Sequence, residues 1–163
     1  MAKRRATAGL LTVLPLFAGT ALAAEKEPAA VAEIGGAGEW SLRDGGASFG
    51  PTLAVEFTAI KDWLEIEVGV TSRFSRHQTD WSADLLFKKP FTLSDTVEFM
   101  FGVGPEWKIT TNSVAAEVVL DFMFWPWPER KFGWFLEPTY SYDFGKGHEQ
   151  SFGVSVGLLI AIP

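Results

Sequence analysis

Acidic side chains recur at alternate positions along this chain, and they are the groups best placed to do chemistry. Glu56, Glu65, Glu67, Asp84, Glu106, Glu117, Asp121 and Glu137 each sit between apolar neighbours, with Lys88 and Lys108 in the same phase. In an extended chain, alternate residues share a face. Spacing about the turns places Glu56 opposite Glu65 and Glu67, with Lys88 across from Glu67. It also puts Asp84 near Arg73, Glu106 opposite Glu117 with Lys108 close, and Asp121 opposite Glu137. Most such groups are expected to form ion pairs in a hydrated interior that fix register. Asp121 and Glu137 carry a sharper expectation. Two carboxylates in one narrow space cannot both ionise cheaply, so they should share a proton or hold a cation such as Ca²⁺, which prefers oxygen ligands.

The other chemistry-bearing residues offer less. There is no cysteine, which excludes thiolate metal sites and disulfide staples. The two histidines, His77 and His148, stand in turn-like runs without metal-ligand spacing. No catalytic residue and no cofactor is expected.

The chain opens with a processing segment. Lys3, Arg4 and Arg5 precede an apolar run from Gly9 to Ala18, and Ala21-Leu22-Ala23 meets the small-x-small cleavage rule. Residues 1–23 are therefore read as a signal peptide, 24–32 as a short tail, and 33–163 as the folded domain. Removing the three signal-peptide bases leaves 11 basic against 20 acidic residues, a net charge of −9. Nucleic acid is excluded as a partner, because neutralising phosphates needs clustered Lys and Arg.

Of the 163 residues, 47% are hydrophobic, with 7 Trp and 14 Phe, yet no later stretch approaches the ~20 apolar residues of a spanning helix. The pattern is instead one of period-2 segments between Gly, Asn, Asp and Pro turn signals. It predicts eight strands: Glu33 to Arg43, Phe49 to Ala59, Trp63 to Phe74, Trp81 to Phe91, Val97 to Thr110, Val114 to Trp125, Phe132 to Phe144 and Ser151 to Ile162. Short connections make neighbours antiparallel, and an even strand number lets the sheet close and lose its edges.

The contents of the two faces indicate which looks outward. Val114, Ala116, Val118, Leu120, Phe122 and Phe124 oppose Ala115, Glu117, Val119, Asp121 and Met123. The apolar row spans ~25 Å along a membrane normal at ~40° tilt, the height of a lipid-facing band. Trp40, Trp81, Trp107 and Tyr142 fall toward one rim, and Trp63, Trp125, Trp127 and Trp134 toward the other, as two aromatic girdles would. The fold predicted is all-β: an eight-stranded antiparallel up-and-down transmembrane β-barrel with short loops.

In runs such as Leu64-Glu65-Ile66-Glu67-Val68-Gly69-Val70, the chain from Glu33 onward resembles the OmpA/OmpX-like family of small outer-membrane barrels. The resemblance implies a Gram-negative outer membrane, with membrane lipid and the barrel-assembly machinery as partners and a structural or interaction role in the envelope. Members commonly end in an aromatic residue, whereas this chain ends Ala161-Ile162-Pro163. Two other readings remain. A soluble periplasmic barrel binding a small apolar ligand requires an apolar lumen. A lipid A-modifying enzyme would draw on His148 and Ser151, with Glu149 nearby.

Overall fold

The computed structural model describes residues 28–76, 78–145 and 147–163. The strands are β1 (Ala30–Ser41), β2 (Ala47–Ile60), β3 (Leu64–Phe74), β4 (Thr79–Ser94), β5 (Val97–Lys108), β6 (Ser113–Phe124), β7 (Phe132–Asp143) and β8 (Gln150–Ile162). Each pairs antiparallel with its sequence neighbour, and β1 pairs with β8, closing the barrel. The barrel's boundary moves slightly: β1 begins three residues before Glu33, because Ala30 to Ala32 pair with Ile162 to Ile160 and give the end of β8 its partner. The signal-peptide reading lies outside the described residues.

Every connection between strands is short, and positive φ falls only in them among the described residues: Gly45, Asp62, Asn112, Arg130, Gly147 and His148. In the β1–β2 turn, the Gly46 N–H donates to Asp44 Oδ1 at 2.9 Å, holding that carboxyl below the usual carboxylate range. The turns β2–β3, β4–β5 and β6–β7 lie at the end that carries the termini, here the terminal mouth. The other four lie at the distal mouth.

The outward rows are apolar. Leu53, Val68, Leu85, Phe101, Leu120 and Leu158 are all exposed, whereas Lys88 and Asp121 have no exposed surface. This inverts a soluble ligand-binding barrel and removes the apolar lumen such a reading needs. Among the described residues, Lys89 is the single charge on the outward rows. Its ammonium snorkels to the Asp62 carbonyl at 2.5 Å and stands 5.7 Å from the Phe91 ring centre.

Trp40, Trp63, Trp81, Trp107, Trp127 and Trp134 are exposed, and Tyr142 is half-buried on the outer face. Trp125 is a correction to the girdle: it is 2% exposed and points inward. Its backbone N–H donates to the Thr96 carbonyl at 2.8 Å, so strand geometry continues one residue past β6. Period-2 alternation then puts Trp125 on the row of Asp121 and Met123. There it packs with Val31, Met100, Met123, Phe135 and Leu159 in an apolar layer near the terminal mouth.

The β1–β8 seam makes room for this layer. Gly35 pairs with Gly157, and a Cβ on Gly157 would lie 2.7 Å from Phe135 Cε1 and 2.3 Å from the Ile34 carbonyl oxygen. Neither the backbone nor a fully buried ring can give way cheaply. Gly157→Val is expected to destabilise the barrel by about 1–3 kcal/mol. Urea unfolding in detergent micelles measures this, and an unchanged midpoint would contradict the tight seam.

Candidate functional site

The centre of the lumen is organised by one lysine. Lys88 lies on the inward row of β4, and its stem passes over β5 at Gly102, where a Cβ would come within 2.8 Å of Lys88 Cγ. The missing side chain lets the ammonium reach the middle of the barrel. There it meets Asp121 of β6 at 2.9 Å, Glu137 of β7 at 2.8 Å, Glu67 of β3 in close contact, and Glu56 of β2 at 3.6 Å. Glu33 of β1 is buried in the same group.

A second cluster sits nearer the distal mouth. Arg73 pairs with Glu106 at 3.0 Å and Glu39 at 3.4 Å, and donates to Ser82 Oγ at 3.1 Å. Lys108 reaches Asp143 at 3.7 Å, and Asp143 also accepts from Ser113 Oγ at 2.9 Å. At the terminal mouth, Arg130 pairs with Glu98 at 3.3 Å.

The residues expected inside are inside, but several pairings differ. Glu56 is directly opposite Glu67, and Glu65, half-buried, is opposite Lys88. Asp84 stands opposite Gly69 and Glu106 and lines the same small pocket as Arg73, as expected, although the Arg73 Nη1 contacts go to Glu39, Glu106 and Ser82. Glu106 faces Ala115 rather than Glu117, which faces Gly104. The β5–β6 connection is centred one residue earlier than the Thr111-Asn112 reading, and that moves every pair in the hairpin by two positions. Arg43 lies exposed in the β1–β2 turn, donating to the Gly147 carbonyl at 3.3 Å.

Asp121 and Glu137 do converge, through the β6–β7 register that pairs Val119 with Thr139 and Phe122 with Leu136. The cation between them belongs to the chain itself, the Lys88 ammonium. His148 and Ser151 part company. The His148 ring is exposed and stacks against Tyr142 at 6.0 Å, whereas Ser151 is buried with its Oγ 2.8 Å from Ser141 Oγ. Ser151 belongs to the inward row of β8 and His148 to the turn before it, so they do not form the pair a lipid A-modifying enzyme would need. His77 lies outside the described residues.

Sequence reasoning missed Arg130, read only as a turn residue, and the inner apolar layer. Parity alone held the signal for that layer, since Met100, Met123, Phe135 and Leu159 all occupy inward positions near one mouth.

The side chains divide the lumen. A cavity of about 270 Å³ opens at the terminal mouth beside Glu56, Glu65, Glu98, Met100 and Trp125. One of about 330 Å³ opens at the distal mouth beside Glu39, Arg73, Asp80, Lys108 and Asp143. Between them lies a pocket of about 20 Å³ next to Glu67, Asp84, Glu117 and Glu137, room for a water or two.

A closed eight-stranded wall, apolar outside and ionic inside, is the arrangement of known transmembrane barrels. The fold is theirs. A structure titled "De novo design of transmembrane beta-barrels" aligns with a TM-score of 0.60 at 12% identity, covering 85% of this chain and 99% of that one. Neisserial surface protein A (NspA) aligns at 0.57 with 16% identity, covering 82% and 96%. Ail, the attachment invasion locus protein of Yersinia pestis, aligns at 0.57 with 14% identity, covering 83% and 99%. No protein-family model matches the chain, and no curated protein does. At these identities the likeness is one of fold, and a designed barrel shares it as well as natural ones do.

Burying an ammonium and several carboxylates is tolerable only while they neutralise one another. Removing the lysine strands its acids. Lys88→Met is therefore expected to destabilise the barrel by about 3–5 kcal/mol. Lys89→Met, one residue along and outward, is expected to change stability by less than about 1 kcal/mol. The two urea midpoints, measured side by side, check this; equal effects would mean that the cluster does not hold the barrel together.

Proposed function

We propose that this protein is a compact, non-conducting barrel of the Gram-negative outer membrane with a structural or interaction role in the envelope. The observation that carries the reading is the distribution of side chains: an apolar outer wall around a lumen crossed by the Lys88 ion pairs. Eight strands enclose an interior that side chains nearly fill, and the Lys88 cluster stands between the two mouth cavities, leaving no wide path for solutes. No catalysis is assigned, since His148 and Ser151 face different surroundings.

The exposed Trp40, Trp81 and Trp107, with Tyr142, belong at the outer interface, and Trp63, Trp127 and Trp134 at the periplasmic one. Outer-membrane lipid is then the partner of the outer face, and the barrel-assembly machinery inserts the chain after removal of residues 1–23. The short connections offer little surface for a large receptor-like contact.

Fractionation tests the reading. The protein is expected in the outer membrane, with Ala24 as its first residue, and its unboiled and boiled forms should migrate differently in SDS, because a closed membrane barrel stays folded until heated. In planar bilayers the purified protein should show no steady conductance. Recovery from the soluble periplasm without a heat shift would overturn the membrane assignment, and a stable ionic current would overturn the closed lumen.

A further inference from the structure

The Lys88 cluster contains more acid than its lysine can serve. An ammonium has three N–H donors. Its three shortest contacts are with Glu67, Asp121 and Glu137, while Glu56 stands farther off at 3.6 Å. Nothing remains for Glu33. That side chain is 3% exposed, and its Oε1 has no hydrogen-bond partner. Asp121 is divided in the same way: Oδ2 accepts from Lys88, and Oδ1, fully buried, has no partner. Five carboxylates thus surround a single positive charge in a space that holds little water.

Four of these carboxylates converge. Glu33, Glu56, Glu67 and Asp121 each present one carboxylate oxygen, and these four atoms all lie within 4.8 Å of one another. Two oxygens on opposite sides of a calcium ion at its usual bond lengths are ~5 Å apart. The group therefore has the span, the hard oxygen donors and the negative charge that such an ion takes. The quartet comes from β1, β2, β3 and β6, so an ion there would tie β6 across the lumen to three strands that its own backbone ladder does not reach. Access is from the terminal mouth, where Glu56 lines the cavity with Val31, Met100 and Met123.

We propose that Glu33, Glu56, Glu67 and Asp121 form a divalent-cation site beside the Lys88 ammonium, suited to an ion of the size of Ca²⁺. Glu137 belongs to the lysine rather than to this site, which moves the cation away from the Asp121–Glu137 pair that spacing alone suggests. Asp121 serves both cations, and its Oδ1 is not used by Lys88. The site rests on lumen geometry and needs no particular envelope role.

The test uses the folded barrel in detergent micelles, stripped with a chelator and then titrated with calcium chloride. The readout is the temperature at which the heat-sensitive SDS migration is lost. The wild-type midpoint should rise by on the order of 5 °C once calcium is ~100-fold above its Kd. Glu33→Gln, which keeps the shape and removes the charge, should fold and lose that rise. Glu39→Gln, in the Arg73 cluster, should keep it. If Glu33→Gln does not fold, Glu56→Gln makes the same comparison. No rise in the wild type, or an equal rise in the glutamine variant, overturns the site. The heat shift measured in chelator alone reports on the closed barrel separately, so the two readings cannot fail together unnoticed.

Discussion

One buried ammonium sets the conditions for everything inside this barrel. Backbone hydrogen bonds join each strand to its two neighbours and leave no edge. They do nothing across the lumen. Lys88 does: from β4 it reaches acids on β2, β3, β6 and β7, so five of the eight strands meet at one nitrogen. Where the outer face is in lipid, apolar side chains gain little by meeting one another, and directed interior contacts have to specify the height of each strand. The glycine at position 102 belongs to the same device, since a side chain there would block the lysine's stem.

The interior is layered along the barrel axis. At the terminal end, Trp125, Met100, Met123, Phe135 and Leu159 form an apolar plug, seated against glycines at the seam. Above it lies the Lys88 cluster, then the Arg73 cluster, then the open distal cavity with Lys108 and Asp143. The plug screens the ion pairs from one mouth without closing it entirely, because Glu56 still lines the terminal cavity. Low water content strengthens each contact around Lys88 and raises the penalty for each oxygen left unpaired.

The wall was legible in the sequence, and the heights were not. Period-2 alternation reports the face of every residue, so Glu56, Glu67, Lys88, Asp121 and Glu137 could be placed inside from spacing alone. Which base meets which acid depends on how far each strand slides past its neighbour and on how long side chains cross a closed lumen. A turn centred one residue away displaced Glu106 from Glu117, and the reach of Lys88 across Gly102 has no counterpart in hairpin spacing. Trp125 shows the converse case. Its parity pointed inward from the start, but the habit of tryptophan at membrane interfaces overrode it, and strand geometry extending one residue past β6 decided the matter.

The terminal layer also bears on why the ionic layer exists. This barrel fills part of its lumen with apolar side chains, so nothing in an eight-stranded wall forces charge into the rest. Replacing a buried ion cluster by well-packed apolar residues is often neutral or stabilising. Register could have been fixed by one lysine and the acids within its reach. Glu33, with an oxygen that no donor meets, adds desolvation without adding a pair. A group whose burial is unfavourable in the chain taken alone is explained when something outside the chain completes it. The oxygens within reach of Glu33 make a small, hard cation the simplest completion.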